Sequence, residues 1–274
     1  MNTLQGQRIA IIGAGKMGSS LLRGLLAAKA VEPAQVTVTA AHQRRVDELT
    51  RELGVEGSLD NRAAASSADI VMLCVKPQMA EGVLREIGNA LRGDQLLISI
   101  LASVTTGYLE NRISEGVPVV RSMPNTPSLI GQGMSALCGG TSAREEHFEV
   151  TERLFEPLGN TLRIDERHFD AVTALSASGP AFLYVVMEAL ADGGVKVGLP
   201  RAEALQLAAQ ATVGAARMVL DTGRHPALLK DEVTTPAGCT VDGIMELEDG
   251  GLRVTLIKAI VEATARAKEL VDDE

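Results

Sequence analysis

The stretch Arg8-Ile9-Ala10-Ile11-Ile12-Gly13-Ala14-Gly15-Lys16-Met17-Gly18-Ser19-Ser20 decides the fold of this chain. A short apolar run ends at Gly13 and gives way near Met17 to helical spacing, so a G-x-G-x-x-G pattern falls between a strand and a helix. In that setting the first glycine makes the tight turn. The second lets a pyrophosphate approach the backbone, and the third lets helix pack on strand. The helix start adds unpaired N–H groups that suit phosphate. Glycines also occur at ordinary strand–helix turns, but in a first βαβ unit this arrangement predicts a dinucleotide site on Gly13, Gly15, Lys16, Met17 and Gly18.

Outward from the loop, residues 36–39 are β-branched and lead into Ala40-Ala41-His42-Gln43-Arg44-Arg45, with Asp47 the first acid. An NAD site usually carries an acid at the end of this strand to accept from the ribose 2′-hydroxyl. Here no carboxylate stands there, and two guanidiniums can pair with a 2′-phosphate. His42, Arg44 and Arg45 therefore predict NADPH, with NADH possible.

Strand and helix periods then alternate. Residues 70–75, 96–100 and 117–121 read as strands; residues 83–91 and 105–113 read as helices. Residues 134–138 and 161–164 extend the sheet around a helix at 145–155. This order predicts an α/β fold with right-handed crossovers. After residue 165 the strand signal stops. Helices are expected at 181–191, 201–220 and 252–271, broken at Gly193-Gly194, at residues 222–226 and at Gly250-Gly251. We therefore expect a Rossmann-type parallel-sheet domain over 1–165 and an all-α domain over 166–274. Small side chains at Ala208, Ala209, Ala211, Gly214, Ala215 and Ala216 permit close helix packing. An apolar stripe of Ile257, Ile260, Val261, Thr264 and Leu270 invites a second copy of the chain. A bundle closed within one chain is the alternative.

Composition excludes other classes. The 274 residues carry 26 Lys plus Arg against 35 Asp plus Glu, a net charge of −9, with 2% aromatic residues and no Trp. Such a chain suits neither phosphate counterion release nor base stacking, so no nucleic-acid partner is expected. Cys74, Cys138 and Cys239 are widely spaced and lack nearby His pairs, which indicates neither a disulfide framework nor a metal site. The polar opening before Arg8 leads into an apolar strand too short for a signal peptide's apolar region, so no secretory leader is expected, and no uninterrupted apolar run approaches the roughly 20 residues of a membrane span. A cytoplasmic location without membrane contact is expected.

Later segments are more specific. Val75-Lys76-Pro77, the run from Arg121 through Ser122-Met123-Pro124-Asn125 to Pro127, Ser176-Ala177-Ser178-Gly179-Pro180-Ala181, residues 188–200 and residues 230–240 together resemble pyrroline-5-carboxylate reductase, from about Arg8 to Leu270. The resemblance implies reduction of 1-pyrroline-5-carboxylate to L-proline by NADPH or NADH, the last step of proline biosynthesis. It also implies a Rossmann domain followed by a helical domain that interlocks with its copy in a dimer, which can assemble into rings. Carried onto matching positions, Asn61, Lys76, Pro77, Ala102, Met123, Pro124 and Asn125 join the glycine loop around the cofactor. Ser178 and the backbone amides of Gly238, Cys239 and Thr240 would hold the substrate, with the Thr240 hydroxyl near the ring nitrogen as the catalytic group. Glycines typical of the family are replaced by Ser103, Ala177 and Ala237.

The chemistry asks little of titrating side chains. A protonated imine is already a good hydride acceptor, so orientation should carry much of the rate, and no histidine need serve as the acid. A β-hydroxyacid dehydrogenase, the nearest rival, would need a general-acid or base lysine on the first interdomain helix, and residues 179–192 contain none. Another cyclic-imine reductase would differ only in pocket shape. A cofactor-sensing module would have no use for residues 236–240.

Overall fold

The structure is a computed structural model that describes Leu4 and residues 6–269. Part of the polar opening, and Leu270 and Val271 of the expected last helix, lie outside the described residues. Eight strands occur among the described residues: β1 (Ile9–Ile12), β2 (Val36–Thr39), β3 (Glu56–Ser58), β4 (Ile70–Leu73), β5 (Leu96–Ser99), β6 (Val119–Met123), β7 (Gly133–Gly139) and β8 (Gly159–Arg163). Between them run α1 (Lys16–Ala27), α2 (Gln43–Leu53), α3 (Asn61–Ser67), α4 (Ala80–Ile87), α5 (Thr106–Glu110) and α6 (Glu145–Phe155). Then follow α7 (Phe169–Val172), α8 (Gly179–Lys196), α9 (Arg201–Thr222), α10 (Pro226–Glu232), α11 (Cys239–Asp249) and α12 (Leu252–Glu269).

The strands form one sheet in the order β3-β2-β1-β4-β5-β6-β7-β8, parallel from β3 through β6. β7 runs antiparallel to β6, and β8 is parallel to β7. The chain leaves β1 toward β2 on one side and returns to β4 on the other. This switch point opens a crevice beyond the carboxyl ends of the strands, where doubly wound sheets bind ligands. Alternation along each strand divides the core. Ile9, Ile11, Ile70, Met72 and Ile98 pack on one face with Leu21 and Leu25 of α1 and Phe155 of α6. Ala10, Ile12, Val71, Leu73 and Leu97 pack on the other with α3 and α4. Both faces of the central strands are covered, hence their continuous apolar sequence.

Besides the short helices α7 and α10, β3 and α3 were not expected from sequence. β3 has three residues without an apolar side chain, and α3 is a short alanine-rich turn capped by Asp60, whose carboxylate accepts from Ala63 N. The predicted helix break at Gly193-Gly194 is absent, because α8 runs through both glycines to Lys196. A Cβ on Gly194 would lie 3.1 Å from Ala204 Cβ, so this glycine serves the close approach of α8 to α9.

Compactness divides the chain into Met1–Ser178 with Ala263–Glu274, and Gly179–Glu262. Residues 166–178 stay with the sheet because Phe169 packs among Met123, Ala136 and Cys138. In the second unit only Ala191, Ala204 and Ala208 are buried among the described residues. Ala211, Gly214, Ala215 and Ala216 are exposed, so that part of the small-residue stretch is left uncovered by the described residues. The helical run Glu166–Lys196 is long and apolar enough by length and composition to cross a membrane. Ser176, Ser178, Glu188 and Asp192 divide it into shorter apolar runs.

Candidate cofactor and substrate sites

The three loop glycines occupy three physically different positions. Gly13 has φ +88, and a Cβ there would collide with the Val75 side chain and backbone. Gly18 is buried, and its Cβ would meet Gly13 O at 2.9 Å and Cys74 Cβ at 3.0 Å, which is where α1 crosses the strands. Gly15 is exposed, with nothing within 4 Å of the place a Cβ would take. The turn and the packing contact thus lie inward, and the position reserved for a phosphate faces open space. Gly15 caps α1 without a side-chain hydrogen bond, and the first turn holds no acid. The opening amides at Lys16, Met17 and Gly18 have no carbonyl one turn back. These features fit the pyrophosphate of a dinucleotide.

The loop is held by Thr39, whose hydroxyl joins it to Asn61 and, through Asn61, to Glu86. Thr39 at the end of β2 accepts from Gly13 N through Oγ1 (3.2 Å) and donates the same hydroxyl to Asn61 Oδ1 (2.7 Å). Its carbonyl accepts from Ala14 N at 2.7 Å. Asn61 Nδ2 donates to Glu86 on α4 at 2.7 Å, so both ends of the amide are engaged and its flip is fixed. In sequence Thr39 is one β-branched residue of a strand, and nothing in a single sequence marks its hydroxyl.

The two arginines after β2 separate. Arg45 turns back onto the loop, donating from Nε to Ala14 O (3.2 Å) and from Nη2 to Ser19 Oγ (2.8 Å). The side chain of Arg44 is 91% exposed and meets Glu48 Oε1 at 3.1 Å, one turn along α2. Arg44 faces outward, whereas Arg45 braces the turn. His42 is the exposed cap of α2 and makes no side-chain capping bond. Lys76 is exposed ahead of Pro77, which opens a short 3-10 turn after β4.

Farther along the same sheet edge, Met123, Pro124 and Asn125 are buried at the end of β6, and half-buried Ala102 packs on the cluster of Met123, Ala136, Cys138 and Phe169. Asn125 Oδ1 accepts from Met134 N at 2.9 Å while its Nδ2 donates to Ser176 O at 3.2 Å. That second bond ties the β6 turn to residues 173–177, which form a π-helical turn closed by Ser178 N donating to Thr173 O at 2.9 Å. Such turns recur at functional sites because they re-aim the side chains that follow. Ala177 is right-handed there, so its Cβ costs nothing. Ser103 (φ 63) and Ala237 (φ 56) occupy left-handed positions that favour glycine. Cys74 and Cys138 are packing residues, their thiols pushed up to about 12, in both cases chiefly by burial.

Residues 236–240 lie in the helical unit. Gly238 caps α11, which begins at Cys239, so Thr240 sits inside the first turn and is not the cap. Gly238 N is spent on Thr235 O (3.0 Å), leaving the amides of Cys239 and Thr240 at the positive end of the helix. The Thr240 side chain makes no hydrogen bond within the described residues. Ser178 and this loop fall in different units. Among the described residues no cluster of His, Cys, Asp and Glu is arranged to hold a metal.

A glycine loop at the switch point of a doubly wound sheet, followed by a helical segment, defines a Rossmann-type dinucleotide-dependent oxidoreductase. Residues 8–103 match the family described as NADP oxidoreductase, coenzyme F420-dependent, and residues 166–270 match the family described as pyrroline-5-carboxylate reductase dimerisation. The chain is 41% identical over 267 residues to pyrroline-5-carboxylate reductase of Methanosarcina acetivorans, covering 97% of this chain and 99% of that one. Among solved structures it is similar to 1-pyrroline-5-carboxylate reductase of Streptococcus pyogenes, at 32% identity and a TM-score of 0.87, covering 96% of this chain and 99% of that one. It is also similar to the Plasmodium falciparum pyrroline carboxylate reductase solved with NADP bound, at 29% identity and a TM-score of 0.88, covering 97% and 99%. The chain belongs to the pyrroline-5-carboxylate reductase family.

Proposed function

We propose that this protein reduces 1-pyrroline-5-carboxylate to L-proline with NADPH. It acts in the cytoplasm as a homodimer closed by its C-terminal helices, from which rings can be built. The observation that carries this reading is the end-to-end match, 41% identical over 97% of the chain, to a reductase of that name. The glycine loop with its open face at Gly15 supports the cofactor assignment. When bound, NADPH supplies a hydride for the imine carbon.

The protein's own residues do the rest. Gly13, Gly15 and Gly18 shape the phosphate seat, the amides of Lys16, Met17 and Gly18 take the pyrophosphate, and Arg44 takes the 2′-phosphate. Asn61, held by Thr39 and Glu86, lines the nucleotide side together with His42, Lys76 and Pro77. Ala102, Met123, Pro124 and Asn125 flank the nicotinamide. The amides of Cys239 and Thr240 hold the substrate carboxylate at the start of α11, with Gly238 shaping the turn. Ser178 and the Thr240 hydroxyl orient the ring nitrogen. Because the substrate imine enters protonated, Thr240 is asked for a hydrogen bond and not for a proton.

Loss of NADPH absorbance on adding the five-membered imine, with proline as product, tests the reading. Tight NADPH binding without turnover would replace it with a sensing role. Within the reading, Thr240→Ala should lower kcat/KM for the imine by about tenfold to a hundredfold, the value of one orienting hydrogen bond in a transition state. An unchanged kcat/KM would remove Thr240 from the mechanism.

A further inference from the structure

Arg121 is the largest fully buried side chain among the described residues, on the central sheet, with 2% of its side chain exposed. Its guanidinium lies 4.5 Å above the centre of the Phe169 ring, and Nε and Nη2 have no hydrogen-bond partner. Its anion is Glu166, whose Oε1 accepts from Arg121 Nη1 at 3.1 Å. The same oxygen accepts from Thr106 N at 2.7 Å, and Oε2 accepts from Thr106 Oγ1 at 2.6 Å.

One carboxylate thus joins the start of α5, just after the connection that contains Ala102, the middle of β6, two residues before Met123, and the turn leading to Phe169. Ala102, Met123 and Phe169 share one apolar cluster. The two backbone segments assigned above to the nicotinamide are therefore clamped by a residue outside every recognised motif.

We propose that Glu166 is a positioning residue for the nicotinamide end of the cofactor, acting through Thr106 and Arg121. The inference rests on the cofactor reading above. A buried guanidinium needs an anion, and an amide in place of the Glu166 carboxylate would keep acceptors for Thr106 N and Arg121 Nη1 and turn its NH2 to the Thr106 hydroxyl, but would leave the Arg121 charge uncompensated. Loss of the clamp frees Ala102 and Met123 to move, and errors of about an ångström in the placement of reacting atoms cost up to roughly a hundredfold in rate. The adenosine end, seated on Gly13 to Gly18, should not register the change.

The test compares NADPH with 2′,5′-ADP, a fragment lacking nicotinamide, on the full-length protein. Glu166→Gln should leave the Kd of 2′,5′-ADP within about twofold of wild type, weaken NADPH several-fold and lower kcat tenfold or more. Thr106→Val removes only the hydroxyl bond and should give an intermediate loss, while Thr106→Ser keeps both bonds and restores the wild-type kcat. If Glu166→Gln does not fold, the two Thr106 variants carry the comparison alone. Equal weakening of NADPH and 2′,5′-ADP, or wild-type values for NADPH and kcat, would overturn the proposal. A wild-type protein that binds NADPH but does not turn over the imine would defeat the proposed reaction, and the fragment comparison would still decide the role of Glu166.

Discussion

At the residue scale, adjacent arginines that look equivalent in sequence have different duties. Arg44 reaches outward from α2, whereas Arg45 spends its guanidinium on Ala14 O, Ser19 Oγ and Glu48. Arg44→Ala should raise the KM for NADPH about tenfold or more and leave that for NADH unchanged, since only the 2′-phosphate loses a charge-assisted partner. Arg45→Ala should raise both KM values together and lower Tm, because it loosens the loop that every dinucleotide uses. Steady-state kinetics with both cofactors checks the pair, and identical profiles for the two variants would merge their roles. The three positions where the family favours glycine divide in the same way. Ala177 pays nothing, Ser103 offsets its left-handed φ by donating Oγ to Ala267 O at 2.6 Å, and exposed Ala237 has no such bond. Ala237→Gly should therefore stabilise the protein by about 1 kcal/mol in denaturant unfolding, the ordinary cost of a Cβ at positive φ less the entropy a glycine adds to the unfolded chain.

At the element scale, α6 carries a pH dependence at its first turn. Arg144 N donates to His147 Nδ1 at 2.9 Å, which requires that nitrogen to be unprotonated. Burial, chiefly, holds the imidazole below its usual range, with Glu146 opposing and Arg144 assisting. The folded pKa is the lower one, so on acidification the unfolded chain takes the proton first. The cap contributes fully above the unfolded value of about 6.5 and loses its contribution as pH falls from there through the folded value. His147→Gln keeps an acceptor that does not titrate. Melting at about pH 8 and about pH 5.5 should show wild type losing about 1 kcal/mol more than the variant, and parallel losses would assign the acid sensitivity elsewhere.

The elements also show what a sequence can reveal. β1, β4 and β5 were legible because strands covered on both faces are apolar almost throughout, β2 because all four of its residues are β-branched, and the glycine loop because its turn and its packing contact each exclude a Cβ. β3 was not, since an exposed three-residue edge strand has no period to read. Thr39, Glu86 and Glu166 were missed for a related reason. Each acts through a partner far away in the chain, Gly13 and Asn61 for Thr39, Asn61 for Glu86, and Thr106 with Arg121 for Glu166, and such pairings exist only once the sheet has brought them together.

At the scale of the whole molecule, the helical unit cannot account for its own stability. Ordering each residue costs about 1–2 kcal/mol, and three buried alanines return little of that. Meanwhile Leu183, Tyr184 and Val185 on α8, Val213 and Leu220 on α9, and Ile257 and Val261 on α12 remain exposed, within a segment whose family is named for dimerisation. A second copy covering these faces would make folding of the helices and association one event, so apparent stability must depend on protein concentration. A tenfold increase in concentration should raise Tm by about 2 °C or more, and sedimentation should return at least twice the mass of the chain. Val213→Asp, which places a charge on the exposed face of α9, should shift the sedimenting species toward the single chain and lower Tm, with the glycine-loop unit still binding 2′,5′-ADP. A concentration-independent Tm at the mass of one chain would mean that the helices close on themselves, and the apolar faces of α8, α9 and α12 would then need another cover.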